Sequence, residues 1–355
     1  LVISQAFSRG KSAMTTKVCD LTGGFKRYGS TNEFNFFRGL TISLQHEQTS
    51  LHVFFSGRQL DGKVEQNVFP AFYETGYHRT IDEISKKKEV KQNLAGFNLA
   101  FNGVWYQIGV SSLIMKMDKK LIPKSYPYNL FYFSGNKQWV SGFHYRFRLH
   151  KFNFFGEAAL AELKYPALIC GLTVSPLSRV NLALLYRNYV PEYDALFASS
   201  FSEKSVVRNE KGVYIGAEIL LAKSLKVAFY ADCYRFPWLS YGVDCPSNGM
   251  DYLLQLTYTP LRQLTLLCRT RYEQQFANRS QSTQVTAMIE RNDKIAFRLQ
   301  SVYETGILKF KQQIDANIVH KQHIAPTCGI TVLQEVGVRF RKWPLNIDFS
   351  YLFFD

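Results

Sequence analysis

Few stretches of this sequence combine reactive side chains at a usable spacing. His320-x-x-His323 with Cys328 has the residue types of a zinc site, since two imidazoles and a thiolate can share a tetrahedral ion. The intervening Lys321 and Gln322 read as a polar loop, and the ordinary reading is a solvated turn. His144 beside a serine on a neighbouring strand is the one conceivable base and nucleophile pair; a lone histidine on a polar strand face is read as hydrated. No H-E-x-x-H, G-x-S-x-G, Walker-type or G-x-G-x-x-G pattern occurs. The expectation is therefore no catalytic residue, no metal site, no small-molecule cofactor and no enzyme activity.

The charges say more. Lys and Arg number 43 against 28 Asp and Glu, a formal net charge of +15 that suits an anionic partner. Lys86, Lys87 and Lys88, with Lys91, follow Thr80-Ile81-Asp82-Glu83-Ile84. Thr80 and Glu83 have capping-box spacing, which predicts a short helix in a loop. This run is the candidate polyanion-binding loop, for lipopolysaccharide or nucleic acid, beside the plainer reading of a solvated face. A second set of charges lies on strands. Arg146, Arg148, Arg187, Lys226, Arg269, Arg271, Arg298, Lys309, Lys311 and Arg339 give ten basic positions, against four acidic ones at Glu218, Asp232, Asp315 and Asp348.

Those charges alternate with apolar residues at period 2. Phe143, Tyr145, Phe147 and Leu149 interleave with His144, Arg146 and Arg148. Val213, Ile215, Ala217 and Ile219 interleave with Tyr214, Gly216 and Glu218. Leu94 to Met115 carries no charge and is long enough to span a bilayer as a helix. Asn102-Gly103 at its middle instead predicts a hairpin with a type I′ turn. Short turns near 45–50, 102–103, 150–151, 175–179, 222–224, 259–263, 304–307 and 341–344 alternate with long polar connections at 59–93, 117–137, 191–211, 237–249, 276–291 and 320–327. Leu172–Leu177 (LTVSPL) recurs as Leu256–Leu261 (LTYTPL), read as convergent turn chemistry around Pro176 and Pro260.

Alternating connections describe an all-β, up-and-down antiparallel sheet of about 16–18 strands. Many strands read as about 9–12 residues, the length a membrane strand needs rather than the usual five or six. A sheet this wide must curl or expose edges, and closure into a barrel removes them. Periodicity alone cannot say whether the apolar face meets a core or lipid. Strand number, strand length, loop alternation and 15% aromatic content favour a transmembrane β-barrel. Tyr132, Trp139, Tyr165, Tyr189, Trp238, Tyr272 and Trp343 are candidates for its interface girdles. Residues 1–355 are then a single outer-membrane barrel domain. Cys170, Cys233 and Cys268 share the apolar phase, while Cys19, Cys245 and Cys328 read as loop residues. Leu1–Arg9 reads as the middle of a strand, and Tyr351–Asp355 lacks a terminal aromatic, so the barrel is expected to be incomplete at both ends.

Seven stretches, spread over most of the chain, carry a resemblance: Leu1–Ser12 (LVISQAFSRGKS), Gly23–Tyr28 (GGFKRY), Ser30–Gly39 (STNEFNFFRG), Gly76–Lys87 (GYHRTIDEISKK), Phe197–Glu203 (FASSFSE), Asn209–Gly216 (NEKGVYIG) and Tyr234–Trp238 (YRFPW). Their order resembles a family of outer-membrane β-barrels from Bacteroidota that carry an upstream helix-hairpin-helix segment. The resemblance implies a bacterial outer-membrane location and a barrel whose upstream module, first strands and last hairpin lie outside this chain. It implies no catalytic residue and no substrate. The expected function is a channel, conduit or structural barrel with a basic lumen, in contact with outer-membrane lipid. Arg146, Arg148, Arg269, Arg271 and Arg298 are the candidate lumen-lining cations, and a weak anion preference follows. The alternative is the barrel part of a nucleic-acid uptake or handling system linked to the upstream helix-hairpin-helix.

Overall fold

The computed structural model describes residues 36–279, 288–339 and 346–355. Within them the period-2 pattern becomes one continuous ladder. The first hairpin is β1 (Gly39–His46) with β2 (Thr49–Leu60). The connection onward holds β3 (Val68–Phe69) and a helix, α1 (Ile81–Ser85). Then come β4 (Val90–Asn102), β5 (Tyr106–Leu121), β6 (Gly135–Leu149), β7 (Phe152–Ala161), β8 (Tyr165–Leu177), β9 (Val180–Tyr189) and β10 (Glu210–Ala222). The series ends with β11 (Leu225–Phe236), β12 (Ser247–Leu261), β13 (Leu264–Asn278), β14 (Ile289–Glu304), β15 (Leu308–Lys321), β16 (Thr327–Arg339) and β17 (Asn346–Phe354).

The result is a single 17-stranded sheet of up-and-down antiparallel order. The two-residue β3 is the exception and pairs parallel to the end of β5. Among the described residues β1 pairs only with β2 and β17 only with β16, so the sheet is not closed. The strand expected at Leu1–Arg9 lies outside the described residues, as do Cys19, Trp343 and the turn at 341–344.

Two turns differ from expectation. Neither Asn102 nor Gly103 has a positive φ; the hairpin is closed instead by Gly103–Trp105, with the Gly103 N–H donating to the Tyr106 carbonyl at 2.8 Å. Among the described residues the strict alternation of connection lengths breaks between β7 and β8, and the connection expected to be long at 320–327 has only five residues, 322–326. Glu162 (φ 53°) and Leu163 (φ 55°) make a tight turn at the long-loop end. Positive φ at both central residues is the type I′ signature, and without Asn or Gly it left no sequence signal. Pro176 and Pro260 do mark equivalent irregularities, because both hairpins slip register there.

Register assigns the two faces. Phe143 (46% exposed) and Leu149 (47%) stand on the open side of β6, while Gln138, Val140 and Gly142, in the phase of His144 and Arg146, are buried. Cys170, Cys233 and Cys268 follow the exposed apolar phase as expected. Cys328 is the second residue of β16 rather than lying in a loop. The covered face is covered by the chain's own long connections. Residues 197–203 reach both Arg58 on β2, 5.5 Å from the Phe197 ring, and Gln275 on β13, 3.1 Å from Glu203. Those strands are ten spacings apart, about 48 Å along the sheet at about 4.8 Å each. The wall therefore curls around this loop.

Candidate functional site

The inward face has two zones. At the long-loop end it is not the wet, charged surface expected from the sequence. Leu113, Met115 and Met117 of β5, Val140 of β6, Phe155 of β7, Ile169 of β8 and Leu185 of β9 form a dry cluster with Phe69, Tyr193, Phe201 and Val207 from the connections. Inserted loops bring their own apolar side chains, so the wall there must supply apolar partners. Toward the short turns the inward face becomes polar, with His52, Asn98, Gln107, Arg146, Arg148 and Gln255.

Arg187 of β9 sits where the zones meet. Its Nε donates to Glu210 Oε1 of β10 at 2.5 Å, and its two Nη groups donate to the Asp232 carboxylate of β11 at 2.8 and 3.1 Å. All three side chains are fully buried. Opposite Arg187, Gly212 leaves the space the guanidinium occupies; a Cβ there would lie 2.6 Å from Arg187 Cζ. The Glu210 carboxylate also accepts the Glu203 backbone N–H at 3.0 Å, which ties the 190–209 connection to the wall. Tyr189 adds a second tie, its hydroxyl 3.0 Å from Ser200 Oγ and donating to the Phe201 carbonyl at 2.9 Å. Gln138 adds a third, donating to the Asp194 carbonyl at 2.6 Å and accepting from the Leu196 N–H at 3.1 Å. Buried polar groups of an inserted loop must find such partners or carry a large desolvation penalty.

Beside the 190–209 connection lies a cleft of about 1580 Å³, lined by Tyr73, Lys86, Tyr126, Tyr128, Tyr132 and Arg208 among others. Arg208 lies 3.3 Å from the centre of the Tyr132 ring and pairs with Asp194 at 2.8 Å. Burial pushes the Asp194 carboxyl above the usual carboxylate range, and Arg208 and the Phe133 N–H pull it partly back. The Trp238 indole crosses over to donate to the Pro127 carbonyl at 3.0 Å, joining two loops far apart in sequence.

The sequence-predicted residues are distributed as follows. Arg146, Arg148, Arg269, Arg271 and Arg298 all take the inward phase. They are not one cationic stripe. Arg271 pairs with Asp251 at 2.8 Å and Arg298 with Asp315 at 2.6 Å, whereas Arg146 donates to Asn153 and Arg269 to Gln255, both at 2.9 Å. The count of ten basic to four acidic positions also needs correction. Register turns Glu157, Glu210, Asp251, Glu273, Glu290, Glu304 and Glu335 inward as well, with Arg58, Lys119, Lys294 and Lys321, so the basic excess on the inward face shrinks. The capping box at Thr80 and Glu83 forms. Its lysines do not converge: Lys86 pairs with Asp82, and Lys91 lies on β4 on the outward face. Tyr189 is buried inward, Tyr165 takes the inward phase against the dry cluster, and Tyr132 and Trp238 belong to loop packing, so only Trp139 and Tyr272 of the described girdle candidates face outward. His144 faces Glu157. Among the described residues no group of three His, Cys, Asp or Glu side chains is placed to hold a metal ion. Sequence reasoning missed Glu210 and Asp251 as members of the inward set, because each sits near a strand end where period 2 is short.

The exposed apolar face, strands of up to 16 residues and an inner face filled by the chain's own loops define an outer-membrane β-barrel wall. Among solved structures, the FrpB iron transporter from Neisseria meningitidis, F5-1 variant in its apoprotein form, is similar to this chain with a TM-score of 0.44 and 10% identity, covering 89% of this chain. The F3-3 variant of that transporter gives 0.43, 9% and 85%. The chain spans 59% and 57% of the length of those two chains. No family model matches it, and none of the curated proteins does.

Proposed function

We propose that this chain is the wall of a non-catalytic outer-membrane conduit, stoppered at the long-loop end by its own connections. The observation that carries the reading is the tie between residues 190–209 and the inward phase of β6, β9 and β10. A loop serving only as a surface connection would leave these groups in water; here they seal a dry cluster across the passage. The polar zone below is the solute path. Arg148 and Arg269 have no carboxylate within ion-pair distance among the described residues, which supports a modest anion preference. The reduced basic excess on the inward face keeps that preference small. Planar-bilayer recording tests the reading. The parent chain is expected to give rare, small openings, and a variant with residues 195–206 replaced by a Gly-Ser linker steady ones. Equal conductance in both refutes the stopper.

The Bacteroidota relationship, the helix-hairpin-helix module and a role in nucleic-acid handling rest on the resemblance of the quoted motifs. Block of the opened conduit's current by single-stranded DNA would support that alternative. The buried positions of Tyr214 and Tyr230 weigh against it, since stacking needs open rings.

A further inference from the structure

The outward face carries two cross-strand pairs of like charge. Lys116 of β5 stands directly opposite Lys137 of β6, and Lys211 of β10 directly opposite Arg235 of β11. All four are exposed. Among the described residues none of the four has a carboxylate within ion-pair distance. Elsewhere on this sheet several strand cations have a carboxylate partner: Lys311 has Glu335, Arg298, which stands opposite Arg269, has Asp315, and the outward Arg291 has Asp293. Like charges directly opposite on a ladder destabilise it unless an anion sits between them.

Both pairs have the same local setting. Each is one outward step toward the long loops from an apolar pair, Ile114 with Trp139 and Val213 with Cys233. Trp139, its indole N–H donating to Ser112 Oγ at 2.7 Å, marks the interface there. Long loops of outer-membrane barrels face the exterior, so the four cations reach the headgroup layer of the outer leaflet. Lys and Arg stems can lie along the apolar wall while their heads rise to phosphate. We infer that Lys116–Lys137 and Lys211–Arg235 are two headgroup sites for the phosphates of lipopolysaccharide. They are four strand spacings apart across the sheet, about 19 Å at about 4.8 Å each, and offset along the strands by about six residues, about 20 Å, which suits two lipid molecules better than one. Lys86, tied to Asp82 and resting on the Tyr73 ring, is already occupied within its own loop.

This inference rests on the outer-membrane reading, and the experiment separates the two. The full chain and the variants K116Q/K137Q, K211Q/R235Q and the fourfold combination are extracted from outer-membrane fractions in mild detergent. Retained lipopolysaccharide per barrel is measured, and binding to vesicles with bisphosphorylated or dephosphorylated lipid A is compared. Each double variant is expected to retain about half and the fourfold variant about a fifth or less, with the parent favouring the phosphorylated lipid. Unchanged retention in the fourfold variant, equal binding to dephosphorylated lipid A, or equal competition by phosphatidylglycerol overturns the inference. A heat-dependent gel shift in every variant shows that the barrel has folded. If the parent itself does not fractionate with the outer membrane, the location reading falls and this inference with it.

Discussion

Replacing Arg187 by alanine tests the physics of the stopper directly. The guanidinium makes three charge-assisted hydrogen bonds, at 2.5, 2.8 and 3.1 Å, to two carboxylates that are as fully buried as it is. Its removal leaves the Glu210 and Asp232 carboxylates, on adjacent strands, without the cation between them. Removing one partner of a buried ion pair costs about 3–5 kcal/mol, most of it the desolvation of the charge left behind. That is about two to three and a half decades in the unfolding equilibrium. Urea unfolding in lipid vesicles, followed by tryptophan fluorescence, reads the change. Arg187→Lys keeps a charge but not the planar fork, and is expected to fall between parent and alanine variant. Combining Arg187→Met with Glu210→Gln and Asp232→Asn should recover most of the loss, because no isolated charge remains. Glu210 also holds the Glu203 N–H, so Arg187→Ala should raise bilayer conductance. A loss below about 0.5 kcal/mol, the range of ordinary surface substitutions, would refute the reasoning: the carboxylates would then be hydrated and the cluster would seal nothing.

The remaining expectations concern the same wall. Gly212→Ala places a Cβ within 2.6 Å of Arg187 Cζ and should cost about 1–3 kcal/mol in the same unfolding assay, with conductance rising in parallel. Asp194 has a folded-state pKa above its unfolded value, so its contribution to loop docking is fully present in acid and is lost as pH rises through the raised value. Protease protection of the 190–209 connection should therefore be greater at acidic than at neutral pH, and Asp194→Asn should flatten the profile. Single cysteines at Phe143 and His144 should separate cleanly: the first reacts with a lipid-phase maleimide and the second with a water-soluble one, and reversed labelling would mean a register slip of one residue. In the opened conduit, changing Arg146, Arg148, Arg269 and Arg271 to Glu should shift the reversal potential toward cation preference, whereas changing Lys86, Lys87, Lys88 and Lys91 should do much less.

The alternation of Phe143, Tyr145 and Phe147 with His144, Arg146 and Arg148 was legible because strand geometry sends successive side chains to opposite faces. From that local rule the strand number, the up-and-down order and the shared phase of Cys170, Cys233 and Cys268 all followed. The capping box at Thr80 was legible for the same reason, since its partners lie within one turn. Which face meets lipid was not local, because a soluble sandwich and a membrane barrel write the same pattern. Tyr189 and Trp238 read as girdle aromatics and instead hold loops, a difference that depends on where residues 190–209 fold. The lumen's charge followed suit: a run of basic strand positions looked like a cationic surface, but cross-strand register set Asp251 beside Arg271 and Asp315 beside Arg298. Arg187 meets Glu210 and Asp232 from three different strands, at sequence separations of 23 and 45 residues. No periodicity spans such distances. Only the closing of loops over a curved wall excludes water from those charges, and that exclusion makes one arginine among many a structural keystone.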